Sequence, residues 1–351
     1  MSNDLQDMKA FIAKVADAVP LDEDEAEEAF QIIMNGNATP AQIGGFLMSL
    51  RVRGETVGEI TGAARAMRAK ALFIEAPANA IDIVGTGGDG TGTYNISTGA
   101  AIVVAGCGVP VAKHGNKALS SKSGAADALT ALGINTDANF DLIKRSISEA
   151  GIGFLMAPRH HSAMRHVAGP RVELATRTLF NLLGPICNPS GVKRQLTGVF
   201  SRDWVEPIAL TLGKLGSERA WIMHGSDGTD ELTTTGPSFV AELKDGQVST
   251  FDVSPEDAGL KLAKAEDLKG GDAANNAQAI VDLLDGAPGA YRNIVLYNAA
   301  AALIVADKAD DLKDGIAQAA EAIDNGRAKE TLAKMIAITN EGIAEADGES
   351  N

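Results

Sequence analysis

The chain has 351 residues, of which 45% are hydrophobic and 4% aromatic, so it is long enough to bury a large core in one large or two unequal domains. Its net charge of −15 disfavours binding to nucleic acid or to an anionic membrane, unless basic side chains are concentrated locally. The sequence has neither an apolar run of the ~20 residues that span a bilayer nor a secretory signal, so we expect a cytoplasmic protein. Its two cysteines lack metal-ligand spacing, and we expect neither a zinc site nor a disulfide framework.

Residues 1–75 predict a small helical subdomain. Apolar residues recur at helical spacing over residues 5–15, and an acidic run that begins at Asp22 suits the positive end of a helix dipole. Thr39, which a proline follows, and Thr56 have the character of helix N-caps. We expect these helices to pack on the rest of the chain as a subdomain that part of residues 165–190 joins.

From residue 81 onwards, short apolar runs such as IDIV, VPVA and NIVLY alternate with helical patterns rich in alanine and leucine. This alternation is typical of a mainly parallel α/β sheet. The stretch FVAELKDGQVSTF predicts a hairpin near an edge of that sheet. We therefore predict the α/β class, with a larger domain at residues 76–345 whose central sheet is flanked by helices, and a polar tail at residues 346–351.

A glycine-rich loop, VGTGGDGTGTYNISTG at residues 84–99, follows the first of these apolar runs. It matches G-x-G-x-x-G, but a dinucleotide site needs an acidic residue ~20 positions later, and the first acid after Asp89 is Asp127. A Walker nucleotide site is also disfavoured, because no Gly-Lys-Ser/Thr sequence ends the loop. A glycine loop before a helix marked by Ser97 and Thr98 can bind a phosphate or carboxylate through backbone N–H groups, and a purely structural tight turn is the alternative.

A basic island follows the glycine loop. Residues 90–126 contain no acidic residue, whereas they include Lys113, His114, Lys117 and Lys122. Such an island in an acidic chain indicates a site for a small, highly charged anion, and the serines and asparagine of KHGNKALSSKSGAAD suit a polyphosphate. The other interpretation is that this stretch is simply buried.

Five motifs in one order resemble the anthranilate phosphoribosyltransferases of tryptophan biosynthesis, and the likeness extends over residues 10–340. They are GTGGD at 85–89, NIST at 95–98, KHGNKALSS at 113–121, RTLFNLLGPICNP at 177–189 and DE at 230–231. The resemblance implies a pentosyl transferase that moves the phosphoribosyl group of phosphoribosyl pyrophosphate (PRPP) to the amine of anthranilate. It also implies Mg²⁺ as the cofactor, two ions per subunit, and a homodimer formed through the helical subdomain.

By motif position, the resemblance places the PRPP site on the glycine loop, the start of the next helix and the basic island. The implied contacts are Gly85, Gly88, Asp89, Thr93, Asn95, Ile96, Ser97, Thr98, Lys113, His114, Gly115, Asn116, Lys117, Ala118, Leu119, Ser120, Ser121 and Ala125. The implied metal ligands are Ser97, Asp230 and Glu231, which suits the preference of Mg²⁺ for a few carboxylates completed by phosphate and water oxygens. Without the resemblance, the Asp–Glu pair would be interpreted as an exposed acidic turn.

Anthranilate carries a carboxylate and an aromatic ring, so its site should offer a cation and an apolar wall. The resemblance assigns Arg171 to the carboxylate, Asn116 to a polar contact and Gly85 to the boundary between the substrates; taken alone, Arg171 would be a surface charge on a helix. The ring would lie near His114, Met164, Pro185 and His161. An aromatic amine is already neutral at physiological pH, so we assign no general base, general acid or covalent nucleophile.

Two positions depart from the family pattern, Ala125 in place of a phosphate-contacting serine and Ser162 in place of a frequent proline.

The nearest alternative function is that of a pyrimidine nucleoside phosphorylase, but those enzymes carry a lysine–histidine pair ahead of the glycines, where this chain has residues 82–84. They also lack the Asp–Glu pair. A non-catalytic nucleic-acid-binding relative of the same fold is the other alternative, which the net charge of −15 and the intact acidic pair oppose.

Overall fold

The computed structural model describes residues 3–118 and 122–342, and four helices begin the chain. They are α1 (Asn3–Ala16), α2 (Glu23–Met34), α3 (Pro40–Arg53) and α4 (Val57–Ala69). The predicted N-caps Thr39 and Thr56 are confirmed, since each forms a reciprocal capping box with the residue three positions later. Asp22 caps α2 in the same way, one residue before the acidic residues that begin that helix.

Seven strands form one sheet in the described part of the chain. They are β1 (Ile81–Gly85), β2 (Val111–Gly115), β3 (Ile152–Met156), β4 (Arg194–Gly198), β5 (Arg219–Gly225), β6 (Ser238–Lys244) and β7 (Gln247–Val253). Their order is β3-β2-β1-β4-β5-β6-β7, with β1 to β5 parallel and the last two strands antiparallel. The hairpin predicted at the edge is therefore confirmed as β6 and β7.

Helices cover both faces of this sheet. They are α5 (Ile96–Gly106), α6 (Ala125–Ala131), α7 (Phe140–Arg145), α8 (Ala157–His160), α9 (Arg165–Leu174), α10 (Phe180–Ile186), α11 (Val205–Lys214), α12 (Ala273–Leu284), α13 (Ala290–Val305), α14 (Leu312–Asp324) and α15 (Arg327–Thr339). Along β5, Trp221 and Met223 point into one hydrophobic core, whereas Ala220 and Ile222 point into the other. The fold is thus of the predicted class, a helical subdomain and a larger α/β domain with a mainly parallel sheet.

The run NIVLY at residues 293–297 is an exception, because it lies within α13 and forms no strand. Every residue of α13 from Ile294 to Val305 is buried. A helix that is apolar on all sides has no amphipathic period, so a short part of it has the same hydrophobic pattern as a buried strand.

The N-terminal helices share their core with α10. The ring of Phe30 in α2 makes edge-to-face contacts with Phe46 in α3 and with Phe180 in α10, at centroid distances of 5.7 and 5.6 Å. Phe180, within residues 165–190, therefore packs against the N-terminal helices. The polar tail predicted at residues 346–351 lies outside the described residues, and no described helix is long and apolar enough to cross a membrane.

Candidate active site

A cavity of about 660 Å³ lies where the loops after β1, β2 and β5 meet α9 and α10. Strand β1 lies between β2 and β4, so the chain order reverses beside it. A crevice at the carboxyl ends of parallel strands forms at such a reversal, and α/β proteins bind ligands there. The cavity therefore occupies the position that the topology favours for a binding site.

Most of the predicted site residues form the wall of this cavity. They are Gly85, Gly88, Asp89, Thr93, Asn95, Ile96, Ser97, Lys113, His114, Gly115, Asn116, Lys117, Ala118, Ala125, Arg171, Asp230 and Glu231. Thr98 is buried and does not line it. Ser97 and Thr98 lie in the first turn of α5, and Asn95 is the residue at its N-cap. Leu119, Ser120 and Ser121 lie outside the described residues.

Two glycines allow the acidic loop at residues 226–237 to cross the ends of the central strands. Gly85 and Gly198 pair at the carboxyl ends of β1 and β4. A Cβ on Gly85 would lie 2.4 Å from Asp230 Oδ2, and one on Gly198 would lie 1.5 Å from the Asp230 carbonyl oxygen. Asp230 Oδ2 accepts a hydrogen bond from the Gly87 N–H at 2.7 Å. Any side chain at Gly85 or Gly198 would therefore displace Asp230 from the glycine loop.

Asp230 and Glu231 place two carboxylates at one end of the cavity. Glu231 is 8% exposed and accepts a hydrogen bond from the Ser97 N–H at 3.1 Å. Desolvation raises the pKa of Asp230 to about 6, and the negative charge of Asp89 adds to that effect. Desolvation likewise raises the pKa of Glu231 to about 8, with a further contribution from Asp230. The protein itself thus leaves these negative charges incompletely compensated.

Lys113 supplies a positive charge that interacts with both Asp230 and Glu231. Its side chain is buried, and Nζ donates hydrogen bonds to the Ile83 carbonyl at 2.5 Å and to Ser97 Oγ at 3.3 Å. Burial lowers the pKa of Lys113, whereas the charges of Asp82 and Glu231 raise it. Lys113 therefore lies between the buried carboxylate of Asp82 on β1 and the carboxylates of Asp230 and Glu231 in the cavity.

Asp82 is a buried carboxylate with a structural role that the sequence did not predict. Its Oδ1 accepts the His114 N–H at 3.0 Å, and its Oδ2 accepts Asn188 Nδ2 at 2.8 Å. Asn188 Nδ2 also donates to the Ala112 carbonyl at 2.8 Å. Asp82 and Asn188 thus connect β1, β2 and the segment after α10. The only signal in the sequence was a charged residue inside the apolar run IDIV.

At the other end of the cavity lies Arg171, on α9. Its guanidinium carbon is 5.7 Å from the centre of the Phe180 ring. Burial lowers the pKa of Arg171, and no acidic side chain of the described residues offsets this effect. The guanidinium is therefore a partly desolvated cation beside an aromatic ring, which suits an incoming aromatic carboxylate. Phe180 was not predicted, although it belongs to the RTLFNLLGP motif.

Two histidines lie beside this end. The rings of His114 and His161 are in edge-to-face contact at 5.2 Å, and His114 Nδ1 donates to the Gly184 carbonyl at 3.1 Å. Burial lowers the pKa of His114 to about 3 and that of His161 to about 4, so both rings are neutral at physiological pH. Together with Met164 and Pro185 they provide the largely uncharged wall that an aromatic ring needs.

The donor set at the acidic end fits Mg²⁺. Within residues 3–118 and 122–342, no group of three or more His, Cys, Asp or Glu side chains is arranged to hold a metal ion by itself. Mg²⁺ in enzymes often takes one or two carboxylates and completes its shell with water and substrate phosphates. Asp230 and Glu231 are hard oxygen donors whose incompletely compensated charges a divalent cation would stabilise.

Two family models match the chain. The model described as glycosyl transferase family, helical bundle domain, matches residues 9–71, and the model described as glycosyl transferase family, a/b domain, matches residues 77–329. The match to both models agrees with the helical part and the α/β part of the structure.

Relatives and solved structures agree with these models. An anthranilate phosphoribosyltransferase from Rhodospirillum rubrum is 66% identical over 332 residues, which cover 95% of this chain and 96% of the relative. The crystal structure of anthranilate phosphoribosyltransferase from Thermus thermophilus has a TM-score of 0.89 at 42% identity, covering 94% of this chain and 99% of that one. The enzyme of Saccharomyces cerevisiae in complex with PRPP and Mg has a TM-score of 0.86 at 28% identity, covering 95% and 98%. The chain therefore belongs to the anthranilate phosphoribosyltransferase family.

Proposed function

We propose that this protein transfers the phosphoribosyl group of PRPP to the amine of anthranilate, which gives N-(5-phosphoribosyl)anthranilate and pyrophosphate. The observation that carries this proposal is one cavity with two chemically different ends. Glycine-loop N–H groups, Lys113 and the Asp230–Glu231 pair form one end, and Arg171 beside Phe180 forms the other. A sugar phosphate with a pyrophosphate matches the first end, and an aromatic carboxylate matches the second. The family membership supports the same pair of substrates.

PRPP would bind along the glycine loop, the start of α5 and the basic segment after β2. The predicted contacts in the cavity wall supply backbone N–H groups at the loop, the cations Lys113 and Lys117, and the amides of Asn95 and Asn116. Thr98 is buried and does not line the cavity, so its contribution would come from its N–H in the first turn of α5. Ala125 lies in the wall without a hydroxyl group, so its contribution would also come from the backbone.

Ser97, Asp230 and Glu231 would hold Mg²⁺ together with oxygens of PRPP. Bound there, Mg²⁺ would supply positive charge against the negative charge that grows on the departing pyrophosphate. The protein prepares this position through the Gly87 N–H, which orients Asp230, and the Ser97 N–H, which orients Glu231. Two ions per subunit remain part of the proposal, since the carboxylates and the pyrophosphate offer enough oxygens for both.

In the reaction, the amine nitrogen of anthranilate forms a bond to the anomeric carbon of the ribose. The bond from that carbon to the pyrophosphate oxygen breaks, the electron pair leaves with pyrophosphate, and the amine nitrogen releases one proton to water. Arg171 would orient the anthranilate carboxylate, and the neutral His114 and His161 would keep the ring in place. The protein therefore acts by alignment and by charge stabilisation, without a covalent nucleophile.

We also propose a boundary between the two domains at residue 75, a cytoplasmic location, the lack of a nucleic acid partner and a homodimer formed through the helical subdomain.

Two exposed valines on adjacent helices support the dimer: Val52 on α3 is 81% exposed, and Val172 on α9 is 79% exposed. Replacing both with glutamate should shift a dimer to a monomer in light scattering, whereas a wild-type monomer would contradict this part of the proposal.

The test is a fluorescence assay with purified protein. With Mg²⁺ and PRPP present, anthranilate fluorescence should disappear and pyrophosphate should form in equal amounts. Omission of PRPP, or chelation of Mg²⁺, is the control and should prevent both changes. Release of base from thymidine and phosphate, or retardation of DNA without turnover of anthranilate, would overturn the proposal.

A further inference from the structure

Asn95 lines the cavity, and two donors hold one end of its side-chain amide, Asn276 outside the cavity wall and Ser123 within it. Asn276 Nδ2 donates a hydrogen bond to Asn95 Oδ1 at 2.9 Å, and the Ser123 hydroxyl donates to the same oxygen at 3.1 Å. Both bonds use the carbonyl oxygen of the Asn95 amide. Its NH₂ group is therefore the end of the amide that remains available to a ligand in the cavity.

The orientation of Asn276 itself follows from a backbone group. Asn276 is 1% exposed, and its Oδ1 accepts the Gly271 N–H at 2.8 Å. A backbone N–H can only donate, so the oxygen of the Asn276 amide must face Gly271 and the nitrogen must face Asn95. The direction of donation thus passes from Gly271 through Asn276 to Asn95.

The backbone of Asn95 is held separately. The hydroxyl of Tyr291, on α13, donates to the Asn95 carbonyl oxygen at 3.2 Å. With the backbone fixed at the start of α5, a reversal of the side-chain amide is the main freedom that Asn95 retains. Asn276 is the buried group that opposes this reversal.

We infer that Asn276, on α12 and outside the cavity wall, is a positioning residue that makes Asn95 present its NH₂ group to an oxygen of the phosphorylated substrate. A reversed amide would present a carbonyl oxygen to that anion, and the interaction would become repulsive. The inference rests on the proposed function, because it takes PRPP to be the ligand at this end of the cavity.

The test uses Asn276→Asp, which has nearly the same shape. Its carboxylate still accepts the Gly271 N–H but places an oxygen opposite Asn95 Oδ1, so the Asn95 amide reverses. The KM for PRPP should rise about 100-fold, since the variant replaces a charge-assisted hydrogen bond with a repulsion. The KM for anthranilate and kcat at saturating PRPP should stay within about threefold of the wild type.

Asn275→Asp is the matched control. Asn275 is the preceding residue of α12 and is exposed, so this variant adds the same charge one position away without contacting Asn95. Its KM for PRPP should stay within about twofold of the wild type. An increase equal to that of Asn276→Asp would mean that charge alone causes the effect, and would overturn the inference.

A second variant, Asn276→Ala, decides the matter if the aspartate variant does not fold. It removes the bond to Asn95 without imposing a reversal, so we expect a rise of about tenfold in the KM for PRPP. A merely structural role would lower the melting temperature and change kcat and both KM values together, which would overturn the inference. If the wild-type protein leaves anthranilate unchanged, the proposed function and this inference are both overturned. If the wild type is active and the KM for PRPP is unchanged in Asn276→Asp, only the inference is overturned.

Discussion

The side-chain amide of Asn298 bonds to both backbone polar groups of Leu232. Its Oδ1 accepts the Leu232 N–H at 3.0 Å, and its Nδ2 donates to the Leu232 carbonyl at 2.9 Å. Asn298 is fully buried on α13, where its Nδ2 also donates to the Ile294 carbonyl at 2.9 Å. Since Leu232 directly follows Glu231, a buried helix far along the chain fixes the end of the acidic pair.

The first prediction concerns Asn298→Leu. The leucine has a similar volume but leaves the N–H and carbonyl of Leu232 buried without their partner, so the free energy of unfolding should fall by about 3 kcal/mol. The position of Glu231 should also become less defined, which should raise the Mg²⁺ concentration needed for half-maximal activity. Urea unfolding and a Mg²⁺ titration measure the two effects.

Asn293→Leu is the control for this prediction. Asn293 lies on the same helix but is only half-buried. We expect a change in unfolding free energy of about 1 kcal/mol or less and an unchanged Mg²⁺ requirement. Equal losses of stability in the two variants would show that the pairing with Leu232 is not the cause.

The sequence predicted features that depend on neighbouring residues. Thr39 and Thr56 act on N–H groups three positions away, and the glycine loop and the KHGN segment lie at the carboxyl ends of β1 and β2, two neighbouring strands of the sheet. Such signals lie within one short stretch, so a single sequence contains them.

The contacts that hold the site from behind could not be predicted in this way. Gly198 is required because the Asp230 backbone passes within 1.5 Å of the position that its Cβ would occupy, and Asn298 pairs with Leu232 from another helix. Both relationships join residues far apart in the chain. An asparagine in the apolar sequence of α13 looks like a defect until the fold shows which buried backbone groups it satisfies.

The second prediction concerns Arg171→Ala. Loss of a partly desolvated cation that faces a carboxylate should raise the KM for anthranilate about 30-fold to 100-fold, while the KM for PRPP changes little. Arg171→Lys should give an intermediate value, because lysine keeps the charge but cannot form two parallel bonds with the carboxylate. Steady-state kinetics with each substrate varied in turn measures this division.

Arg202→Ala is the matched control for Arg171. Arg202 also lies over an aromatic ring, with its guanidinium carbon 3.7 Å from the centre of Phe239, but it is not part of the cavity wall. Both KM values should remain those of the wild type. Equal increases in the two KM values of Arg171→Ala would contradict the assignment of this residue to anthranilate.

The third prediction concerns the double variant Asp230→Asn, Glu231→Gln. It keeps the shapes of both side chains and removes both negative charges, so Mg²⁺-dependent use of PRPP should fall by at least about 100-fold in kcat/KM. Without ligands the double variant should unfold at a higher temperature than the wild type, because neutral amides remove the desolvation cost and the mutual repulsion that raise the pKa values of Asp230 and Glu231.

Differential scanning fluorimetry with and without Mg²⁺ and PRPP checks the third prediction. The ligands should stabilise the wild type and leave the double variant nearly unchanged. Asp245→Asn, in the exposed turn between β6 and β7, removes a charge elsewhere and should respond to the ligands as the wild type does. A double variant that the ligands stabilise as much as the wild type would rule out the metal role of the pair.

The fourth prediction concerns the pH dependence of stability through His161. Burial lowers the pKa of His161 from 6.5 to about 4 in the folded state, so between these values the unfolded state binds more protons and stability falls as the pH decreases. Removal of the His161 imidazole should eliminate its share of the loss in unfolding free energy, about 2 kcal/mol between pH 7.5 and pH 5.

Urea unfolding of the wild type, His161→Gln and His161→Phe at both pH values measures this share. The two variants differ in packing, so their stabilities at pH 7.5 should differ, but both should lose about 2 kcal/mol less than the wild type on acidification. Identical losses in all three proteins would mean that His161 titrates normally in the folded state.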